Sequence, residues 1–281
     1  MHRPFRQIDV FGEEAFTGNP VAVIGSAEGL STEEMRAVSR WTNLSECTFL
    51  LPPTRPGADY RVRIFSLDAE LPFAGHPTLG TARTWIDLGG RPARDGEVVQ
   101  ECGAGLVPVR FDDDRYAFRA PPLVRSGPVD ERTARDALAL IGVDHAVDMA
   151  WVDNGPGWLG ILLEDADDVL RIVPDIARRT ATGLASIGVV GPYPEGSEAA
   201  FELRAFFTDE EGADLREDPV TGSLNASVAQ WLTGTGRART PYLARQGTRL
   251  GRRGRITVEG DGDDLWIGGR TDVCVSGTID A

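Results

Sequence analysis

Short stretches of alternating apolar and polar residues occur in the first half of the chain, and such alternation is typical of half-buried strands. Residues 5–11 alternate in this way, and residues 21–24 form a short apolar run after a Gly-Asn-Pro turn. These two stretches predict an antiparallel hairpin. Residues 47–51 form a further predicted strand, which Pro52 and Pro53 end.

A helix is predicted between these strands. Residues 31–34 (Ser-Thr-Glu-Glu) form a capping box, and residues 35–41 carry apolar side chains at helical spacing, so that the helix ends by Asn43. Glu46 therefore falls at the corner between this helix and the next strand.

The second half has a similar pattern. Asp130 is placed to cap a helix that runs through residue 141, and residues 151–152 and 161–163 read as strands. A further helix follows Gly222 and includes the apolar residues up to position 232.

The two halves also resemble each other in sequence. Three segments recur in the same order about half the chain length apart: residues 61–66 with 202–207, residues 75–82 with 217–224, and residues 18–24 with 155–163. In the second pair, His76-Pro77 aligns with Asp218-Pro219. We therefore expect two lobes of the same topology, residues 1–120 and 121–265, with a C-terminal strand at about 266–281 that returns to the first lobe.

Composition restricts the possible chemistry. The chain has 281 residues, 41% of them hydrophobic and 26% charged, which is ordinary for a globular protein. It contains no lysine, which excludes a lysine Schiff base and a phosphate-binding P-loop. A net charge of -14 argues against a nucleic-acid partner, although a small anionic substrate remains compatible with it.

The cysteines and the apolar runs indicate the compartment. The three cysteines (Cys47, Cys102, Cys274) form no disulfide framework and no metal-binding pair. The first residues are polar, and no apolar run approaches the ~18 residues of a membrane span. We expect a cytoplasmic protein with no membrane partner.

Glu46 and His76 are the first candidate catalytic residues. Apolar neighbours would raise the pKa of the Glu46 carboxyl toward neutrality and make it a usable base, whereas the alternative is an ordinary exposed glutamate at a strand start. His76 precedes a proline suited to a first helical turn, where backbone N–H groups attract anions. Its alternative role is a helix cap. The chain has only three histidines, without ligand spacing, so we predict no metal site.

Asp218 precedes the corresponding turn in the second half. The backbone N–H groups and hydroxyls of residues 221–223 can bind oxygen atoms there, and the alternative role for Asp218 is a helix N-cap. If the lobes face each other about a pseudo-twofold axis, His76 and Asp218 would meet across a cleft. Two helix N-termini would then stabilise a carboxylate or an enolate. Cys102 is an alternative candidate for the catalytic base, although the second half has no matching cysteine.

These segments together resemble the phenazine-biosynthesis PhzF-like family, which shares the diaminopimelate-epimerase fold. The likeness is carried by residues 7–11, 16–20, 44–46, 70–78, 217–223, 246–247 and 268–269. It implies an α+β fold of two pseudo-symmetric lobes, each a curved, mostly antiparallel, barrel-like sheet around a central helix. It also implies an active site between the lobes, and a homodimer.

The resemblance further implies cofactor-independent isomerisation. In that family a glutamate moves a proton within a dihydro-hydroxyanthranilate, and this role transfers to Glu46, with His76 and Asp218 assisting. Polar groups of the substrate would be held by Asn19, Gly75, Gly222 and Ser223. Cys47 is a departure, because many relatives carry threonine after the glutamate.

The sequence thus predicts a metal-free and cofactor-free isomerase or epimerase that acts on a small, carboxylate-bearing metabolite. Two alternatives stay open. One is a non-catalytic protein that binds a small molecule in the same cleft, and the other is a cysteine-dependent racemase.

Overall fold

A computed structural model describes residues 1–175, 186–208 and 215–281 of the chain. The chain forms two compact units: Met1–Arg119 together with Trp266–Ala281, and Ala120–Leu265. The first unit is therefore built from two separate stretches of chain, and the second from one.

Unit 1, all of whose residues are described, is built on a closed ring of strands. Its strands are β1 (His2–Val10), β2 (Asn19–Ile24), β3 (Glu46–Leu51), β4 (Tyr60–Ser66), β5 (Ala69–Leu71), β6 (Glu97–Cys102), β7 (Gly105–Asp112), β8 (Arg115–Arg119) and most of β17 (Asp264–Asp280). Every strand except β5 belongs to the ring, in the order β17-β1-β2-β3-β4-β6-β7-β8 and back to β17. The pairs are antiparallel except β2–β3 and β4–β6.

Two helices complete unit 1. Helix α1 (Thr32–Thr42) begins with the predicted capping box between Ser31 and Glu34 and ends at Asn43 in the left-handed conformation. Helix α2 (Gly75–Asp87) is the central helix and contacts β1, β2, β3, β4, β6 and β8. Its fit is close, because a Cβ at Gly80 would lie 2.4 Å from Cγ1 of Val21.

Unit 2 has the same kind of architecture. Its strands are β9 (Arg125–Pro128), β10 (Asp148–Asp153), β11 (Trp158–Leu162), β12 (Ser186–Pro192), β13 (Phe201–Thr208), β14 (Leu215–Asp218), β15 (Tyr242–Gln246) and β16 (Gly254–Asp261). Its helices among the described residues are α3 (Glu131–Ile141), α4 (Ala166–Arg171) and α5 (Gly222–Gly234). Asp130 caps α3 as predicted, and the largely buried α5 contacts β10, β11 and β16.

The strand pairings repeat from one unit to the other. In unit 1, β2 pairs in parallel with β3, β3 and β5 each pair antiparallel with β4, and β6 adds to β4 in parallel. Strands β11 to β15 repeat this order in unit 2. The predicted α+β fold of two pseudo-symmetric lobes, each a curved and mostly antiparallel sheet around a central helix, is confirmed.

The register of the repeat differs from the sequence alignment at one point. Both central helices begin with a glycine, so Gly75 corresponds to Gly222. The alignment of His76 with Asp218 is therefore wrong. Its cause is the connection before β14, which spans residues 209–214, whereas only two residues separate β4 from β5. His76 instead corresponds to Ser223, since each is the second residue of its helix.

Smaller differences concern element ends. Phe11, predicted within the first strand, lies just beyond β1 with a positive φ of 68°. Leu163 likewise falls outside β11. Among the described residues, no helix is both long and apolar enough to cross a bilayer.

Candidate active site

Glu46 and His76 come together in unit 1. Glu46 is the first residue of β3, and its Oε2 lies 3.3 Å from Nε2 of His76. The side chains are 16% and 5% exposed, respectively. The interpretation of Glu46 as an exposed glutamate at a strand start is therefore wrong, because most of its side chain is buried beside an imidazole.

His76 is held at the beginning of the central helix. It is the second residue of α2, whose N-cap is Ala74, so the alternative role of His76 as a cap is wrong. Nδ1 of the ring lies 3.3 Å from Nδ2 of Asn19, and the ring also hydrogen-bonds to the backbone of Pro20. Burial lowers the pKa of His76 to about 3, and the bond to Pro20 opposes this shift only in part. The imidazole is therefore neutral at physiological pH.

A carboxylate fixes the loop that carries Asn19. The Asp9 side chain accepts hydrogen bonds from the backbone N–H of Thr17 at 3.0 Å and of Gly18 at 2.9 Å. A Cβ at Gly18 would lie 2.1 Å from the carbonyl oxygen of Val10, so this close approach requires glycine. The loop thereby places Asn19, the first residue of β2, against His76.

Asp218 belongs to a separate polar cluster in unit 2. It is the last residue of β14, and its carboxylate accepts a hydrogen bond from the Thr221 hydroxyl. The Gln246 side chain donates to the Asp218 carbonyl at 3.1 Å and accepts from the backbone N–H of Thr221 at 3.0 Å. Thr221 is the N-cap of α5, so the alternative role of Asp218 as N-cap is wrong. The cluster fixes the turn that leads into α5.

Ser223 lies at the start of this second central helix. Its Oγ accepts a hydrogen bond from the indole Nε1 of Trp158 at 3.1 Å, and its carbonyl accepts one from Nδ2 of Asn154 at 2.8 Å. Both central helices are fully described, and neither has an acidic residue in its first turn or a side-chain cap. Their N-terminal N–H groups therefore suit an anion.

The predicted site residues thus form two groups. Glu46, His76 and Asn19 lie together in unit 1, with Gly75 as the first residue of α2. Asp218, Gly222 and Ser223 lie at or beside the start of α5 in unit 2.

Sequence reasoning missed Asp9 and Asn154. The Asp9 carboxylate holds the β1–β2 loop, and the Asn154 amide holds the β10–β11 loop against the start of α5. The Gly-Asn-Pro turn was the available signal for the first of these loops. Nothing in the spacing of Asn154 indicates its partner.

The cysteines offer no activated thiol. Cys47 and Cys102 are both buried. Burial raises the pKa of each thiol, which disfavours the thiolate that a cysteine base needs. The described residues also include no group of three or more His, Cys, Asp or Glu placed to hold a metal ion.

Comparison with known proteins identifies the family. The model of the phenazine biosynthesis-like protein family (PhzC-PhzF) matches residues 8–278. The chain belongs to this family. It is 33% identical to antisense-enhancing sequence 1 of Schizosaccharomyces pombe, with 97% of each chain covered.

Two further comparisons concern a relative with a named activity and a solved structure. The chain is 30% identical to the trans-2,3-dihydro-3-hydroxyanthranilate isomerase of Pseudomonas fluorescens, over 91% of this chain and 89% of that protein. A crystal structure of a PhzF-family protein from Enterococcus faecalis matches with a TM-score of 0.80 and 25% identity, covering 100% of both chains.

Proposed function

We propose that this PhzF-family chain is an isomerase that moves a proton within a small, carboxylate-bearing substrate, with Glu46 as the acid and base. Family membership and relatives named isomerases support the reaction class. The observation that carries the role of Glu46 is the distance of 3.3 Å between its Oε2 and Nε2 of the buried, neutral His76 at the start of the central helix.

The neutral imidazole suits both protonation states of Glu46. A neutral ring has one N–H and one lone pair. Nε2 can therefore donate to the Glu46 carboxylate, or accept from Glu46 once the carboxyl has taken a proton. A change of tautomer accommodates both states, so His76 can stabilise Glu46 before and after it removes a proton from carbon.

The carbon acid must be activated by the substrate itself. Glu46 removes a proton beside a carbonyl or a conjugated system and returns it at the same or another carbon. General acid–base catalysis of this kind supplies ~10²- to 10⁴-fold. Further acceleration comes from positioning and from the N-terminal end of α2, which favours the negative charge that develops as the proton leaves.

The donors at the start of α5 in unit 2 suit a carboxylate ligand. The first turn of α5 offers backbone N–H groups and the Ser223 hydroxyl, in keeping with the binding roles predicted for Gly222 and Ser223. Asn19 and Gly75 stay predicted binding residues, and Asp218 stays a predicted catalytic residue. The proposed chemistry uses only groups of the chain, without a metal or cofactor.

Deuterium incorporation tests the proposal. The purified chain is incubated in D₂O with trans-2,3-dihydro-3-hydroxyanthranilate, with a panel of amino acids and hydroxyanthranilate-like acids, and with cell extract. Mass spectrometry then follows the label. We expect Glu46→Gln to lower incorporation at least ~10²-fold, because the amide cannot accept the proton.

A matched control separates loss of the base from loss of fold. Glu33 lies on α1 with a side chain that is 74% exposed, and Glu33→Gln should leave incorporation unchanged. Full activity of Glu46→Gln would refute the proposal. Ligand binding without any incorporation, in the wild-type chain, would instead favour the non-catalytic binding protein.

A further inference from the structure

Two side chains, one from the β10–β11 loop and one from the first residue of β11, converge on Ser223. Trp158, the first residue of β11, is 3% exposed and donates its indole N–H to the Ser223 hydroxyl oxygen. Asn154 donates to the Ser223 carbonyl. The second residue of this central helix is thus held through both its side chain and its backbone by the end of this loop and the start of β11.

That loop is fixed independently of Ser223. The Asp153 carboxylate accepts from the backbone N–H groups of Gly155 and Gly157, each at 2.7 Å. Both glycines have positive φ, 138° and 82°. The Ser186 hydroxyl also donates to the Pro156 carbonyl at 2.9 Å. Trp158 therefore projects from a braced support, as a positioning group requires.

The same arrangement occurs in unit 1. There the Asp9 carboxylate holds the β1–β2 loop, and Asn19 begins the next strand. The Asn19 side chain lies against His76, which is the second residue of α2. In each unit, then, a carboxylate-braced loop brings a side-chain N–H onto the second residue of the central helix.

The chemistry of the indole decides what Ser223 can do. Indole Nε1–H is only a donor, so the Ser223 oxygen must be the acceptor in this bond. Within the described residues, the Ser223 hydroxyl proton has no hydrogen-bond acceptor. The hydroxyl is therefore left to donate to a ligand.

We propose that Trp158 is a positioning residue that holds the Ser223 hydroxyl as a donor to the carboxylate of a ligand at the start of α5. This inference rests on the proposed function for the class of substrate, but it concerns binding and not the proton transfer of Glu46. The equivalent arrangement in unit 1 supports this role, because there the Asn19 side chain on the loop held by Asp9 contacts His76, a predicted catalytic residue.

Binding of two related probes tests this role. The carboxylate probe is 3-hydroxyanthranilate, and 2-aminophenol is its counterpart without the carboxylate. Titration calorimetry of the full chain compares wild type, Trp158→Phe and Ser223→Ala. Trp158→Phe should weaken 3-hydroxyanthranilate binding about tenfold, because a hydrogen bond to a charged group loses its support, and should leave 2-aminophenol binding unchanged.

Two further measurements separate positioning from packing. Trp158→Phe combined with Ser223→Ala should bind 3-hydroxyanthranilate no more weakly than Ser223→Ala alone, because Trp158 acts through Ser223. In protein labelled with ¹⁵N-tryptophan, the indole resonance that Trp158→Phe removes should shift when 3-hydroxyanthranilate binds the wild type, and not when it binds Ser223→Ala.

The outcomes are distinguishable from those for Glu46. Three results would overturn the role of Trp158, whatever the deuterium experiment shows. They are an equal loss of affinity for both probes in Trp158→Phe, additive losses in the double variant, and no binding of 3-hydroxyanthranilate by the wild type. The selective loss without any deuterium incorporation would support Trp158 and count against the isomerase.

Discussion

One arginine–glutamate bridge of unit 1 has a counterpart in unit 2, at the equivalent position of the repeat. In unit 1, Arg63 on β4 contacts Glu70 on β5 through two hydrogen bonds of 2.7 and 2.6 Å. In unit 2, Arg204 on β13 contacts Glu217 on β14 at 2.9 and 2.7 Å. Their surroundings differ, because the side chains are 25% and 40% exposed in the first pair but 4% and 11% in the second.

Loss of the carboxylate should therefore cost different amounts of free energy in the two units. Glu70→Gln breaks a bridge that water can replace, and such pairs contribute about 0.2–1 kcal/mol to the free energy of unfolding. Glu217→Gln leaves the buried Arg204 guanidinium without its counterion, a change that costs about 3–5 kcal/mol. Arg204 cannot turn to solvent easily, since it also donates to the carbonyls of Val169 and Ile172.

Urea unfolding of the two variants measures this difference. We expect the transition midpoint of Glu217→Gln to fall several times further than that of Glu70→Gln, with similar slopes. Added salt should reduce the small effect of Glu70→Gln, because exposed charges are screened, and should change the larger one little. Equal losses in the two variants would refute the argument that burial decides what this bridge contributes.

Three other outcomes follow from the structure. The pKa of His76 is lowered from its ordinary value of 6.5 to about 3, so between these pH values the imidazole binds a proton in the unfolded chain but not in the folded one, and stability falls as the pH drops. Relative to His76→Gln, the wild type should therefore lose about 2 kcal/mol of unfolding free energy between pH 8 and pH 5, measured by urea unfolding. Gly80→Ala should lower the melting temperature although alanine favours helices, whereas Gly234→Ala, at an open site in α5, should raise it slightly. Cys102→Ala should leave deuterium incorporation unchanged, because the buried thiol is not a base, and a loss of incorporation would revive the cysteine racemase.

Much of the fold could be predicted because local patterns agree with the final structure. The capping box at Ser31 and the cap at Asp130 begin α1 and α3 as expected. Residues 61–66 and 202–207 lie in equivalent strands. The central helices were predicted from the proline-containing turns and from the apolar residues after Gly222, although their buried first turns lack the polar caps by which a helix start is usually recognised.

The register of the repeat could not be predicted in the same way. The alignment of His76 with Asp218 used two X-Pro steps, which are local signals and carry no information on how long a connection has become. Only the strand pairings show that Ala205 faces Asp218 where Ile64 faces Leu71. Because the connection between β13 and β14 is longer than that between β4 and β5, Asp218 lies at the end of β14 and not within α5.

Site geometry was least accessible from the sequence, because it depends on contacts between residues far apart in the chain. Asn19 and His76 are separated by 57 positions, and Trp158 and Ser223 by 65. No periodicity reports such pairs. The proline turn indicated His76 and the family resemblance indicated Ser223, but neither could show which side chains hold them.

The two units keep one backbone design while their chemistry has diverged. At the second position of the central helix, unit 1 has a buried neutral imidazole beside a carboxyl, a combination suited to moving protons. Unit 2 has a hydroxyl supported by an indole, a combination that can donate a hydrogen bond but has no group that titrates near neutral pH. Exchange of the two residues should therefore be unequal: Ser223→His leaves Glu46 and His76 in place, whereas His76→Ser removes the partner of Glu46. If unit 1 performs the proton transfer, only the second exchange should lower deuterium incorporation to the level of Glu46→Gln.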